Sequence, residues 1–157
     1  MSTPSLHAPH QPPPVFGADS PEPSATRLVK FHAPEIVFGR GSLAEAGYAA
    51  ARLGARRPLV VTDPGLIEAG WVDELLRLLH QAGLRPAVWN DVTPNPKDHE
   101  VAKGYEVYRE SGADVLIALG GGSCIDAAKG IAILSSNGGD ILDYAGVDQV
   151  SQPIPRC

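Results

Sequence analysis

Three consecutive glycines, Gly120-Gly121-Gly122, and the Ser123 that follows them are the residues best suited to chemistry in this chain. They follow an apolar run, Val115 to Leu119, and open a stretch, Cys124 to Lys129, that reads as a helix. Glycine lets a backbone approach an anion closely, and a helix start offers free N–H groups at the positive end of its dipole. Each glycine also loses extra backbone entropy on folding, so three in succession point to an anion cradle, a phosphate above all, rather than to a tight turn alone. The spacing is neither GxGxxG nor a P-loop, so those fingerprints lend no support.

The neighbours leave more than one reading. Ser123 is placed to cap the helix, and Asp126 three residues on gives a weak capping-box spacing. Alternatively the Ser123 hydroxyl or N–H holds a phosphate while Asp126 contacts a ligand hydroxyl or amide, because a carboxylate against a phosphate would repel it. Lys129, one turn further, could support phosphate charge, pair with Asp126 or stand as a plain surface lysine. Asp63, before Pro64-Gly65, could accept hydrogen bonds from ribose hydroxyls and repel a 2′-phosphate, or could begin an Asp–Pro–Gly turn. It precedes Gly120 by 57 residues, whereas in the usual dinucleotide fold the acid follows the glycines. Cys124 at a helix start could have a lowered thiol pKa, but with no adjacent histidine it reads as a packed side chain. His80 and His99 are lone histidines on predicted helices, read as surface or satisfied core residues. His7 and His10 could touch a metal, but a closed site needs about four ligands and no others lie near.

The elements that must position these residues alternate in type. Ser42-Leu43-Ala44-Glu45 fits a capping box, with Leu43, Ala46, Gly47 and Ala50 following at helical spacing. Pro58 to Thr62 reads as a buried strand ending at Asp63. Leu75, Leu78, Leu79 and Ala82 mark a helix face closed by Gly83, and Ala87-Val88-Trp89 a short strand. Val101, Gly104, Tyr105 and Tyr108 mark another helix face, closed by Gly112, ahead of the strand at Val115–Leu119. Val29, Phe31 and Ile36-Val37-Phe38 are predicted as further short strands. The strands at Leu59, Ala87 and Val115 begin 28 residues apart, near the length of a strand–helix unit. Strands alternating with helices indicate an α/β fold, a Rossmann-like parallel sheet flanked by helices. In such sheets ligands bind beyond the carboxyl ends of the strands, where Asp63, Asn95-Pro96 and the glycines fall.

Composition sets the limits. The chain has 157 residues, 43% of them hydrophobic and 20% charged, enough for one domain with a real core. Residues 1–27 read as a disordered Pro-rich tail, since seven of the fifteen prolines lie within the first 25 residues. Residues 28–157 form the predicted α/β domain. A net charge of −5 with scattered Lys and Arg argues against a nucleic-acid partner. No apolar run approaches the roughly 20 residues that cross a bilayer, so no membrane partner is expected. The start of the chain lacks the pattern of a secretory signal or mitochondrial presequence. Two cysteines, Cys124 and Cys157, make no disulfide framework, and a reducing cytoplasm is the expected setting.

From about Phe31 to Pro155 the chain resembles the N-terminal half of the iron-containing (group III) alcohol dehydrogenases. The resemblance is carried by Pro34 with Phe38-Gly39-Arg40-Gly41, by Val60-Val61-Thr62-Asp63 and by Pro94-Asn95-Pro96. It continues in Gly120-Gly121-Gly122-Ser123 with Asp126-Ala127-Ala128-Lys129, in Asn137-Gly138-Gly139-Asp140 with Asp143-Tyr144, and in Pro153-Ile154-Pro155. A shorter form of the glycine motif is shared with the glycerol dehydrogenase and dehydroquinate synthase groups, the nearest alternatives. The resemblance implies an NAD-binding domain. Asp63 would hold the adenine ribose, favouring NAD over NADP. Asn95 would line the cofactor cleft, Gly121, Gly122 and Ser123 would hold the pyrophosphate, and Asp126 would belong to the same cleft.

The family's reaction, hydride transfer between a small alcohol and its aldehyde or ketone, also needs Fe²⁺ or another divalent metal. Its ligands, typically one Asp and three His, belong to a helical C-terminal domain with no counterpart in these 157 residues. No catalytic or metal-ligating residue is therefore assigned. The expectation is a truncated cofactor-binding half, inactive alone, with a non-catalytic nucleotide-binding or assembly module as the alternative. Such a half would expose apolar surface, so self-association, a homo-oligomer among its forms, is expected.

Overall fold

The computed structural model describes residues 35–146 and 149–154. Its elements belong to one unit, Ile36–Cys157. Three short strands, β1 (Pro58–Val61), β2 (Ala87–Trp89) and β3 (Val115–Ala118), form a parallel sheet in the order β2–β1–β3. Five α-helices surround it: α1 (Ala46–Arg52), α2 (Pro64–Glu68), α3 (Trp71–Gln81), α4 (Asp98–Ser111) and α5 (Gly122–Asn137). The Rossmann-like α/β reading therefore holds.

The central strand is buried at all four positions, as a parallel strand covered on both faces must be. Its side chains alternate between two cores. Leu59 and Val61 join Trp89, Leu116, Val101, Ala127, Ala128 and Ile131 on the face covered by α4 and α5. Val60 joins Val115, Leu75, Leu79, Leu84 and Ala50 on the face covered by α1 and α3. The register follows the 28-residue spacing on one side, where Leu59 pairs with Ala87, and is one residue further on the other, where Leu59 pairs with Leu116 and Val115 with Pro58.

The helix face at 101–108 falls where the periodicity places it. On α3 Leu75 and Leu79 are buried as expected and Leu78 partly so, while Ala82 is exposed past the helix end and Val72 joins the buried face instead. Gly83 and Gly112 end their helices at φ 79° and 61°, the left-handed geometry of a helix stop. Asp114 then ties the foot of β3 to that of β1, its carboxylate accepting from the backbone N–H groups of Arg56 and Arg57 at 2.9 and 3.0 Å. The outer side of β3 borders an apolar groove of about 400 Å³ between α1 and α5, lined by Ala46, Ala49, Leu53, Ile117, Ala118 and Ile125.

Two local expectations fail. Ile36-Val37-Phe38 forms no strand; Ile36 and Phe38 are 79% and 98% exposed. A β-prone run becomes a strand only where a neighbour pairs with it, and no described strand does. The capping box at Ser42 is absent as well. Gly41, at φ 82°, is the N-cap of a 3-10 turn, Ser42–Glu45, with no side-chain cap bond. Ser42 already lies inside that turn, so its hydroxyl is past the capping position. The predicted strand residues Val29 and Phe31, and His7 and His10, lie outside the described residues.

Helix α1 crosses α3 closely at Gly47. A Cβ there would lie 2.8 Å from the backbone carbonyl oxygen of Leu78 and 3.1 Å from the Cβ of Ala82. In an unhindered helix Gly→Ala gains about 1 kcal/mol. Here the clash is with backbone, which yields only if α3 moves, and overpacking of this kind costs about 1–3 kcal/mol. Gly47→Ala is therefore expected to lower stability in urea unfolding, and a stabilised variant would contradict the close crossing.

Candidate functional site

Because β2 and β3 flank β1 on opposite sides, the chain leaves the central strand in two directions. The gap between the carboxyl ends of β1 and β3 is thus a topological switch point, where open α/β sheets bind ligands. Asp63 ends β1 and Gly120 follows β3, so the fold brings together residues 57 positions apart. Thr62, fully buried, fixes this junction: its hydroxyl donates to the Leu119 carbonyl at 2.9 Å. The backbone continues the pairing, Leu119 N–H donating to the Val61 carbonyl at 2.9 Å.

Asp63 caps the short helix α2. One carboxylate oxygen, Oδ1, accepts from the Leu66 N–H at 3.1 Å, and Pro64 takes the first helical position, where no N–H is needed. The other oxygen, Oδ2, accepts from the Cys124 thiol at 3.4 Å. Local sequence gives the cap; the thiol contact is non-local.

The three glycines do different things. Gly120, at φ 149°, passes directly against Cys124, and a Cβ there would lie 2.5 Å from its sulfur. Gly120 is thus needed by packing. Gly121 and Gly122 are not crowded: a Cβ on either would meet no protein atom within 4 Å. Their free sides face a cleft of about 380 Å³ lined by Asp63, Val92, Thr93, Ser123 and both glycines. Helix α5 begins here with Gly121 as N-cap and no side-chain cap bond. Ser123 is therefore not the cap, as its position had suggested; it is the second residue of the helix. Its hydroxyl instead accepts from the Asn95 N–H at 3.3 Å, which leaves its proton free to donate. An uncapped 16-residue helix with two glycines at its start can accept an anion there.

The loop after β2 forms the facing wall. Asn95 takes the left-handed conformation, φ 56°, and its carbonyl accepts from Lys97 Nζ at 3.0 Å. Glu100, largely buried, braces the loop from below, accepting from Thr93 Oγ1 at 2.8 Å and from the Lys97 N–H at 2.9 Å. The backbone bond from Lys97 and then the Thr93 hydroxyl hold the Glu100 carboxyl below the usual range. Thr62, Thr93, Glu100 and Cys124 were missed as contributors to the site. Only Glu100 carried a signal, an acid on the apolar face that includes Val101 and Gly104.

Asp126 is exposed on α5, 3.7 Å from Lys129, and does not line the cleft. Cys124 is buried as expected of a packed residue, but its thiol is not acidified by the helix start. Burial first, then the hydrogen bond to Asp63 and that residue's charge, push it up to about 11. His80 and His99 are both exposed, and His99 lies 3.5 Å from Asp98. Among the described residues no three or more His, Cys, Asp or Glu side chains are grouped to hold a metal.

Comparisons with known proteins give the family. Residues 33–156 match the model of the family described as iron-containing alcohol dehydrogenase. The chain belongs to that family. It is 41% identical over 124 residues to alcohol dehydrogenase 4 of Schizosaccharomyces pombe, covering 78% of this chain and 29% of that protein. It is 38% identical over 124 residues to the NAD-dependent methanol dehydrogenase of Bacillus methanolicus, covering 79% and 32%. The crystal structure of a 1,3-propanediol oxidoreductase superposes with a TM-score of 0.76 at 37% identity, over 82% of this chain and 34% of that one. The NADH-dependent butanol dehydrogenase A of Thermotoga maritima gives a TM-score of 0.74 at 30% identity, over 82% and 33%. The chain thus spans about a third of the length of these relatives. Among the described residues no helix is long and apolar enough to cross a membrane.

The Glu100 brace is pH-dependent in a definite direction. A carboxyl held below its unfolded value of about 4.3 contributes stability that is complete above that pH and is lost as pH falls through the folded value. Glu100→Gln should therefore be less stable than the parent chain at neutral pH, with the gap closing in acid. Parallel urea titrations at neutral and acid pH measure this, and a gap that does not change with pH would contradict the bracing role.

Proposed function

We propose that these 157 residues form the NAD(H)-binding half of an alcohol dehydrogenase that interconverts a small alcohol and its aldehyde or ketone. One observation carries the reading: an acid at the end of β1 and an uncapped, glycine-lined helix start after β3 share one cleft at the switch point. In this reading Gly121, Gly122 and the Ser123 hydroxyl hold the pyrophosphate, where backbone N–H groups can reach it and no Cβ intrudes. The Asp63 carboxylate accepts from the adenine ribose hydroxyls and repels a 2′-phosphate, which favours NAD over NADP. Asn95 does not itself line the cleft; its N–H, bonded to the Ser123 hydroxyl, holds the Val92–Pro94 wall against the start of α5. Asp126 lies outside the cleft lining, paired with Lys129, and is given no contact with the dinucleotide in this reading.

When bound, the dinucleotide supplies the hydride acceptor or donor; the chain's own residues bind and orient it. The names of the relatives in Bacillus methanolicus and Thermotoga maritima support a nicotinamide cofactor. The iron of the family's description is a different matter. The described residues offer no ligand set for it, so no step through a metal is assigned to them, and these residues alone are proposed to be inactive.

Two results are expected. NADH binds the chain in calorimetry, and Gly121→Val weakens it by about tenfold, roughly 1.4 kcal/mol, with a modest fall in melting temperature because Val caps a helix less well than Gly although position 121 has open space. Unchanged affinity would displace the pyrophosphate from this helix start. In the second, the chain reduces no NAD with methanol, butanol or 1,3-propanediol, with or without added Fe²⁺ or Zn²⁺. Clear turnover would overturn the assignment of a cofactor half only.

A further inference from the structure

Cys124 has no part in the reading above, yet its surroundings are specific. The side chain is 1% exposed. Its sulfur lies 3.4 Å from Asp63 Oδ2, and the Gly120 backbone passes so close that any Cβ at 120 would be expelled by it. The Leu66 N–H engages Asp63 Oδ1. Among the described residues each carboxylate oxygen thus has one donor, and the two donors come from different elements, α2 and α5. A carboxylate has about four lone-pair directions, so two stay available beyond those bonds, and Asp63 lines the cleft.

We propose that Cys124 is the positioning residue that fixes the Asp63 carboxylate in the cleft and thereby sets discrimination between NADH and NADPH. The inference rests on the reading of Asp63 as the ribose-binding acid. The cap bond alone leaves the carboxylate free to swing about Oδ1. The thiol closes that freedom by holding Oδ2, so the group meets a 2′-hydroxyl in one orientation and opposes a 2′-phosphate from the same place. A neutral thiol is the suitable partner: it donates a hydrogen bond, whereas a thiolate would add a second negative charge beside the ribose. The burial that keeps the thiol neutral also keeps it out of nucleophilic chemistry.

The test compares Cys124→Ala, which removes the donor, with Cys124→Ser, which keeps one, by titrating each full chain with NADH and NADPH. In Cys124→Ala the preference for NADH should fall by about fivefold, the worth of a modest hydrogen bond, and Cys124→Ser should restore most of it. A role in packing alone would lower the stability of both variants and leave the preference unchanged, which overturns the proposal. Asp63→Ala separates the two failures. If it abolishes the preference while Cys124→Ala does not, the thiol is not the positioning group and the ribose reading stands. If Asp63→Ala leaves the preference intact, or the parent chain shows none, the ribose reading falls and the inference falls with it. A second measurement needs no nucleotide. In a Cys157→Ser background, where Cys124 is the one remaining thiol, the infrared S–H stretch should move to higher frequency when Asp63 is replaced by Ala. An unmoved band would mean that the thiol does not donate to Asp63.

Discussion

The parallel pairing of β1 with β3 is the constraint on which the rest of the structure depends. Asp63 and the glycines are chemically unremarkable when 57 residues apart. They become a site because the two strands run side by side and end at the same level, a level held by the buried Thr62 hydroxyl on the Leu119 carbonyl. A slip of one residue in a parallel strand turns every side chain to the opposite face. It would drive Leu59 and Val61 into the core that Val60 occupies, and Val60 into theirs, and carry Asp63 off the level of the glycines. The double core leaves no room for this, since both faces of β1 are fully covered.

The two walls of the cleft are built differently. On the side of β1 and β3 the backbone itself sets the geometry, through strand pairing, the α2 cap and the uncapped start of α5. On the side of β2 a loop does the work, and a loop needs a brace. Glu100 supplies it from inside α4, joining Thr93 to the Lys97 backbone. Asn95 then carries that order across to α5 through its N–H on Ser123. The site is thus one hydrogen-bonded circuit through α4, the β2–α4 loop and α5, with the Asp63–Cys124 contact joining α5 back to β1.

The sequence was most informative where a pattern repeats. The apolar run from Pro58 to Thr62, the helical spacing of Leu75 and Leu79, and the stops at Gly83 and Gly112 each report a local preference that the tertiary structure keeps. It was least informative where a residue's role depends on a distant partner. Ile36 to Phe38 has the composition of a strand and no strand beside it. Ser42 and Ser123 are good capping residues, yet a glycine one position before the first and two before the second serves as the N-cap. The hydrogen bond of Cys124 is invisible in its neighbours, because its partner, the Asp63 carboxylate, lies about sixty residues away, and Gly120 must be glycine because the Cys124 side chain is packed against it. The family motif marks these positions without supplying that physical reason.

Asn95 sits at φ 56° between two prolines. Proline fixes its own φ and favours extended backbone before it, so Thr93, Pro94 and Pro96 have few conformations even in the unfolded chain, while Asn95, left-handed against that preference, depends on its bond to Ser123. The loop therefore surrenders its remaining freedom when the domain folds, with Glu100 and Ser123 already in place to hold it. A ligand entering the cleft meets a wall whose disorder has been removed beforehand. Affinity that a floppy loop would forfeit to its own ordering is retained, and exchange of the ligand need not wait for that wall to assemble.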